Sequence, residues 1–250
     1  MKIFLDIETI PNQSPNALSV LIEATKADFR APSDLSKEQA AKELLLEAGY
    51  SVGKYDTKPT VIKQWEEVFA SKKAPEVAEK LWRKTALNGG YGQIYCIGVA
   101  MGYKEPFVIQ MDNEKEMLQC FFAKINEAVK ELHSHHGSIV FIGHNVEWDL
   151  RFLYQRCVIN GVEPTVELIH SKYSPHVFDT MQQWAGFGNR ISLDELCQIL
   201  NIPTPKQGID GSQVWDFVQQ GKGQEVMEYC RRDVAAVQAI YRRMTYQTVP

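Results

Sequence analysis

The sequence lacks long uncharged hydrophobic runs and closely spaced cysteines. Its most apolar stretches, residues 2–10 and 138–146, are interrupted by polar or acidic side chains well before the roughly 20 residues that a membrane span requires. The five cysteines lie at least 24 residues apart and include no CxxC pair, so neither a zinc ribbon nor a redox pair is predicted. We therefore expect no membrane segment, and we expect reduced cysteines in the core.

An excess of basic residues is also absent. Lys and Arg number 27 against 31 Asp and Glu, which gives a formal net charge of −4. This balance argues against binding of nucleic acid through a broad basic surface, but it leaves open an enzyme that holds nucleic acid through metal ions. The N-terminal residues reach Asp6 and Glu8 without the uncharged core of a signal peptide, so we expect a cytoplasmic protein.

The first 90 residues combine one strand with a helical segment. Residues 2–9 alternate between two faces that are both largely apolar, which predicts a central β-strand. Helical patterns follow at residues 36–48, 61–71 and 75–87. We therefore expect residues 11–90 to form a helical insertion after the first strand.

Strands return after residue 90 and then alternate with helices. The predicted strands are 93–101, 107–111, 138–143 and 176–180, and the predicted helices follow Asn113 or occupy 146–159, 193–200 and 224–244. This order predicts an α/β fold with a mixed sheet flanked by helices. We expect a single domain, residues 1–250, with its core in residues 1–10 and 91–250.

Four acidic residues occupy positions that the hydrophobic pattern assigns to the interior. Asp6 and Glu8 share one face of the first strand, and Asp149 lies near the start of a helix that follows a buried strand. Asp233 completes the spacing of an apolar stripe within residues 230–244. An unpaired buried charge costs several kcal/mol, so such acids need a cation, hydrogen-bond donors or a raised pKa.

These acids predict a site for divalent cations. Mg²⁺ and Mn²⁺ prefer oxygen ligands. Two such ions about 4 Å apart stabilise the attacking and leaving oxygens of a phosphoryl displacement, and their charges balance four carboxylates. Tyr229 lies four residues before Asp233 on the same helical face, where its phenol can orient or deprotonate a water.

Three segments resemble the motifs of a known enzyme superfamily. FLDIET at residues 4–9, GHNVEWD at 143–149 and YCRRD at 229–233 resemble the three motifs of the DEDD superfamily of 3′-to-5′ exonucleases, in the subgroup with tyrosine in its last motif. DIET followed by GHN is most similar to the proofreading exonuclease domains of family B DNA polymerases and their stand-alone relatives. The resemblance covers residues 1–10 and 91–244, and it implies a ribonuclease H-like fold with a mixed five-stranded sheet flanked by helices.

The resemblance also assigns roles to individual residues. It implies that two metal ions, Mg²⁺ or Mn²⁺, are bound by Asp6, Glu8, Asp149 and Asp233, and that Tyr229 positions the attacking water. It further implies substrate contacts near the terminal nucleotide for Thr9 and Ile10, with Ile10 against the base, and near the substrate backbone for Asn145. The 80 residues of the insertion depart from the family pattern, since a β-hairpin loop at this place would normally need about 2 to 5 residues.

We therefore expect a metal-dependent 3′-to-5′ exonuclease that hydrolyses terminal phosphodiester bonds of single-stranded or frayed DNA and releases nucleoside 5′-monophosphates. One alternative is an RNA-trimming 3′-to-5′ exoribonuclease of ribonuclease D type. The other is a non-catalytic nucleic-acid-binding module on the same fold. Because 250 residues leave no room for a polymerase domain, we expect any proofreading to occur in trans, with a replication or repair protein as partner, and a role in repair is left open.

Other side chains near the motifs carry weaker signals. Asp179 ends a predicted strand, where it either supports the acidic cluster or forms a turn. Trp148 and Phe152 flank Asp149, and aromatic rings stack on unpaired bases. Core packing is the interpretation that we favour for Phe152.

Overall fold

The chain forms two compact units in a computed structural model. The sheet unit comprises Met1–Pro11 and Ala86–Pro250, and the helical unit comprises Asn12–Thr85. The structure describes residues 1–131, 133, 135, 138–169, 174–205 and 208–247. Within this described part, no helix combines the length and the apolar character that crossing a lipid bilayer would demand.

The sheet unit contains a mixed five-stranded sheet. Its strands are β1 (Lys2–Ile10), β2 (Gln93–Met101), β3 (Phe107–Ile109), β4 (Val140–Gly143) and β5 (Val177–Asp179), in the order β3-β2-β1-β4-β5. β2 pairs antiparallel with both β1 and β3, whereas β4 runs parallel to β1 and β5 runs parallel to β4. The carboxyl ends of β1, β4 and β5 therefore meet at one edge of the sheet, which we call the site edge.

Helices lie along the whole chain. Those of the helical unit are α1 (Ala17–Ala27), α2 (Lys37–Ala48) and α3 (Lys58–Lys84). The described helices of the sheet unit are α4 (Glu114–Glu131), α5 (Val146–Asn160), α6 (Thr180–Ala185), α7 (Leu193–Leu200), α8 (Val214–Gln219) and α9 (Gly223–Met244). The mixed sheet with its flanking helices confirms the predicted ribonuclease H-like α/β fold.

Alternate residues of β1 face opposite sides of the sheet. Ile3 and Ile7 lie in a buried cluster with Phe121 of α4. Phe4 lies in a different buried cluster with Val237 of α9. The even-numbered residues of β1 therefore face α9. The next two of them, Asp6 and Glu8, lie on this same face.

The helical unit has its own aromatic core. Trp65 of α3 stacks between Phe29 and Phe69, with ring centroids 6.0 and 4.8 Å away. The prediction of two helices at 61–71 and 75–87 is wrong, because α3 continues through Pro75 without interruption. Buried side chains on both sides of the proline outweigh the hydrogen bond that its missing N–H removes. Helix α1 has no counterpart among the predicted elements.

Candidate active site

Strand β1 delivers two carboxylates to the face that α9 covers. Asp6 lies opposite Gly98 of β2, and Glu8 lies opposite Cys96. Both follow Phe4 at two-residue intervals, so all three side chains share one face. Glu8 is only 7% exposed. The sequence-based prediction that both acids share a face is thereby confirmed.

Helix α9 approaches the sheet closely at Gly98. A Cβ atom at this position would lie 2.6 Å from the Cys230 sulfur and 3.0 Å from a methyl carbon of Val234. The Cys230 thiol in turn donates to a carboxylate oxygen of Asp6, with the two atoms 3.5 Å apart. Glycine at position 98 therefore allows α9 to bring its own polar residues toward Asp6.

The turn between β4 and α5 is equally tight. A Cβ atom at Gly143 would lie 2.6 Å from the Cβ of Val146 and 2.9 Å from the carbonyl oxygen of Leu5. Asn145 follows with a left-handed φ of +65° and precedes the first turn of α5. This geometry starts α5 directly at the site edge.

Asp149 in the first turn of α5 joins the helix to β1. Its Oδ1 accepts a hydrogen bond of 3.1 Å from the backbone N–H of Ile7, between Asp6 and Glu8. Strand β4 pairs with β1 only as far as Phe4, so Asp149 receives an N–H group that β4 does not reach. The side chain is buried, and its position relative to β1 is fixed by this contact.

Four carboxylates consequently meet in a desolvated site. Burial raises the pKa of Asp6, Glu8 and Asp149 well above the ordinary values. The negative charge of Asp149 adds to this rise at Asp6, and the charges of Asp6 and Asp233 add to it at Glu8. Like charges that disfavour one another at short range need a cation to remain ionised together.

Tyr229 of α9 lies against the same acids. It is 9% exposed and precedes Asp233 by one helical turn. Burial raises the pKa of the Tyr229 phenol, and the charges of Asp233, Glu8 and Asp6 raise it further. The hydroxyl group is therefore protonated in this arrangement.

The donor set fits hard divalent cations. Ligand atoms of Asp6, Glu8 and Cys230 lie within 4.8 Å of one another, and Asp149 and Asp233 act electrostatically on Glu8. Carboxylate oxygens are the ligands that Mg²⁺ and Mn²⁺ prefer. The four predicted ligands are thus brought together by the fold, as their chemistry requires.

The residues predicted to contact substrate adjoin these acids. The Thr9 hydroxyl donates to the carbonyl oxygen of Ala86 over 2.7 Å. Ile10 is 9% exposed and lies in a buried cluster with Val214 and Tyr229. The Asn145 side chain is exposed. Their contacts with a nucleotide stay predictions.

Asp179 supports the site structurally. The sequence patterns did not decide between this role and a role in a turn. Its Oδ1 accepts hydrogen bonds from the backbone N–H of Asn145 over 3.0 Å and of Met181 over 2.9 Å. It therefore caps α6 and fixes the turn before α5 at the same time. Its charge also contributes to the raised pKa of Asp149. The feature of the sequence that could have predicted this role is an aspartate at the junction of a strand and a helix, where it can cap the helix.

Gly98 and Cys230 were not predicted as site residues. Cys230 lies inside the third motif, but neither residue type at these positions indicates a close approach of helix and strand. Phe152 is 2% exposed and packs in the core beside Trp148, with ring centroids 5.2 Å apart. Core packing of Phe152 is therefore confirmed.

Comparison with known proteins supports the resemblance carried by the motifs. A family model described as a predicted 3′-5′ exonuclease related to the exonuclease domain of PolB matches residues 105–249, more than half of the chain. A search of curated proteins finds no match. The matched region contains Asp149, Tyr229 and Asp233, whereas Asp6 and Glu8 precede it and join them through β1. The chain therefore belongs to the family of predicted 3′-5′ exonucleases related to the exonuclease domain of PolB.

Proposed function

We propose that the protein is a metal-dependent exonuclease that removes nucleotides from the 3′ end of single-stranded or frayed DNA. The observation that carries this proposal is the buried convergence of Asp6, Glu8, Asp149 and Asp233 beside Tyr229. A set of like charges in a desolvated site opposes folding, so its presence points to bound cations. Membership in the exonuclease family supplies the reaction class.

The four carboxylates would hold two divalent cations, Mg²⁺ or Mn²⁺. When bound, such a pair stabilises the attacking and leaving oxygens of a phosphoryl displacement. The protein's own contribution is to hold the acids in place. Asp149 is fixed by the N–H of Ile7, and Asp6 receives the Cys230 thiol. Both contacts reduce the reorganisation that binding and reaction require.

Tyr229 orients the attacking water in this proposal. Its side chain lies one helical turn before Asp233 and against the same acids, so its hydroxyl group is placed to hydrogen-bond a water at the cluster. The water oxygen bonds to the terminal phosphorus while the bond from phosphorus to the 3′ oxygen breaks. The products are a nucleoside 5′-monophosphate and a strand that is one nucleotide shorter, with a new 3′-hydroxyl group.

DNA is the proposed substrate because the first two motifs and the family match both point to polymerase-type exonucleases. A direct readout of the sugar would involve the 2′-hydroxyl group of RNA. A cytoplasmic location and a replication or repair protein as partner belong to the same proposal. Both rest on the sequence and on the resemblance.

A digestion time course tests the proposal. DNA and RNA strands of one sequence, labelled at the 5′ end, are incubated with the protein and Mn²⁺ or with a chelator. We expect a ladder that shortens from the 3′ end of DNA, that disappears with chelator, and that is absent for Asp6→Ala. The matched control is Asp112→Ala, because Asp112 is an exposed acid on a loop of the same unit.

The contrary outcomes are distinct. If RNA is shortened faster than DNA, the substrate is RNA instead of DNA, and the proposed exonuclease reaction stands. Intact DNA and RNA, together with a melting temperature that does not respond to Mg²⁺ or Mn²⁺, would overturn the enzyme and its metal site. Such a result would favour a non-catalytic nucleic-acid-binding module.

A further inference from the structure

An exposed aromatic segment runs from the last two residues of α6 into the connection to α7. We call residues 184–190 the aromatic loop. Trp184 is 43% exposed and Phe187 is 49% exposed, and the exposed Arg190 follows three residues later. Two large aromatic side chains that are each more than two-fifths exposed within four residues mark a candidate binding surface.

The segment that carries the aromatic loop is attached to the site edge at both ends. At its start, Asp179 caps α6 and accepts the N–H of Asn145 over 3.0 Å. At its end, the carbonyl oxygen of Ile191 accepts a hydrogen bond of 2.8 Å from Nε2 of His144. His144 and Asn145 immediately precede α5 and its Asp149. Both ends of the segment that carries the aromatic loop are therefore held next to the start of α5, which carries Asp149 of the acidic cluster.

The backbone of the loop is ordered by its own contacts. Gly186 and Gly188 have φ values of +80° and +83°, which glycine adopts without strain. The Asn189 side chain donates to the carbonyl oxygen of Ala185 over 3.0 Å, and its backbone N–H donates to Gly186 over 3.3 Å. These contacts hold Phe187 on a defined turn, so binding there would require little further ordering.

The side chains of the loop match the chemistry of an unpaired nucleic-acid strand. Aromatic rings stack on base faces regardless of sequence, and a guanidinium group pairs with phosphate or stacks on a base. The net charge of −4 provides no broad basic surface, so stacking would supply affinity that charge does not. The exposed Asn145, which immediately precedes α5, donates its backbone N–H to Asp179 at the start of the segment that carries the loop.

We propose that Trp184 and Phe187, together with Arg190, form a stacking site for the unpaired bases of the strand whose 3′ end enters the acidic cluster. This assignment rests on the proposed function for the direction of the strand. It adds residues that neither the three motifs nor the family description assigns. The site contacts the faces of bases and the phosphate groups, which all nucleotides share, so we expect it to bind single-stranded DNA of any base sequence.

Binding is measured by fluorescence anisotropy with 5′-fluorescein-labelled thymidine oligonucleotides of 12 and 2 residues, in Ca²⁺. For Trp184→Ala and for Phe187→Ala, we expect the Kd for the longer strand to rise on the order of 10-fold. The effect on the dinucleotide should be much smaller, because a dinucleotide places fewer bases beyond the acidic cluster. Trp184→Phe, which retains a ring, should restore most of the affinity.

Tyr246→Ala is the matched control. Tyr246 is 95% exposed and follows the end of α9. Its neighbour Gln247 contacts Tyr103, which accepts a hydrogen bond of 3.1 Å from Lys2 at the start of β1, opposite the site edge. We expect this variant to bind both oligonucleotides as the wild-type protein does. Thermal melting of each variant verifies that the fold is retained.

The outcomes separate this inference from the proposed function. Cleavage of the p-nitrophenyl ester of thymidine 5′-monophosphate by the wild-type protein, and not by Asp6→Ala, tests the reaction without neighbouring bases. If cleavage occurs but the loop variants bind the longer strand like the wild type, the stacking site is overturned while the function stands. If cleavage fails but the loop variants alone lose affinity, the function fails and the stacking site stands. Absence of wild-type binding to the longer strand also overturns the site.

Discussion

The two units use acidic residues in opposite ways. The helical unit carries 12 basic and 11 acidic residues within 12–85, and its acids form exposed ion pairs such as Lys26 with Glu23 and Lys80 with Glu76. The sheet unit carries 15 basic and 20 acidic residues. It buries Glu8, Asp149 and Asp233 together.

The comparison shows what burial does to a charge. Exposed ion pairs contribute about 0–1 kcal/mol, because water already solvates both partners. The sheet unit also contains a buried ion pair, in which the Arg156 guanidinium donates to both carboxylate oxygens of Glu114. The acidic cluster differs from this pair because its members are acids that raise one another's pKa. Such a cluster does not stabilise the metal-free fold as the ion pair does, which agrees with the proposed role in binding cations.

The largest expected effect comes from removing a predicted metal ligand. Asp233→Ala or Asp6→Ala should lower the cleavage rate by about 10³-fold or more, because several kcal/mol of transition-state stabilisation are lost. Single-turnover digestion of labelled DNA measures the effect. Retention of more than a tenth of the wild-type rate would show that the acids do not hold the reacting metal ions.

Breaking the buried ion pair should affect stability instead of chemistry. Arg156→Met is expected to lower the free energy of unfolding by about 3 kcal/mol, because Glu114 is left buried without its cation. The arginine also donates to the carbonyl oxygen of Gly89 over 3.1 Å, which this substitution removes. Urea denaturation measures the change, and a loss below 1 kcal/mol would contradict the structural role.

Adding one methyl group at Gly98 tests the approach of α9. Gly98→Ala should lower the free energy of unfolding by about 2 kcal/mol, because the new Cβ would lie 2.6 Å from the Cys230 sulfur. It should also reduce cleavage by displacing α9 from Asp6. Gly102→Ala is not a suitable control, because that φ is +63°. Gly211→Ala is suitable, since nothing lies within 4 Å of its added Cβ.

Removing one charge from the cluster should stabilise the metal-free protein. The pKa of Asp6 is raised in the folded state, so the native protein binds more protons than the unfolded chain above about pH 4. The free energy of unfolding therefore falls as the pH rises from the unfolded pKa through the raised one. Asp6→Asn should weaken this pH dependence and add about 1 kcal/mol at neutral pH. Chelator-treated protein is melted between pH 4 and pH 8, and a steeper dependence in the variant would contradict the prediction.

The smallest effect should come from the helical unit. Lys80→Ala removes an exposed ion pair with Glu76 at i,i+4 spacing, and the effect should be small because water and salt already screen both charges. Thermal denaturation in low and high salt measures it. A loss above 1 kcal/mol would show that the contrast between exposed and buried charges is weaker than the structure indicates.

Local patterns were sufficient for most elements of the fold. Two-residue alternation identified β1, and helical spacing identified α4, α5 and α9 within one or two residues of their observed starts. The exceptions were α1, α6 and α8, which were not predicted, and the continuity of α3 through Pro75. Pro75 alone predicts the start of a new helix. The buried side chains on both sides of it instead keep α3 continuous.

The four acids of the candidate site were predicted from the sequence because they occupy positions that the hydrophobic pattern assigns to the interior, whereas Thr9, Ile10 and Asn145 came from the family resemblance alone. Asp233 interrupts an apolar helical stripe, and Asp6 and Glu8 share a face of a buried strand. Such conflicts between a charge and its local pattern are visible without coordinates. The motif order then supplied the expected roles.

Their convergence was decided only by the tertiary structure. The Ile7 N–H reaches Asp149 across 142 positions of the chain, and the Cys230 thiol reaches Asp6 across 224. These contacts depend on Gly98 admitting α9 and on Asp179 holding the turn at Asn145. Periodicity reports which face a side chain occupies, because that follows from the geometry of a single strand or helix. Which faces then meet, and how closely, depends on packing between segments that are far apart in the sequence.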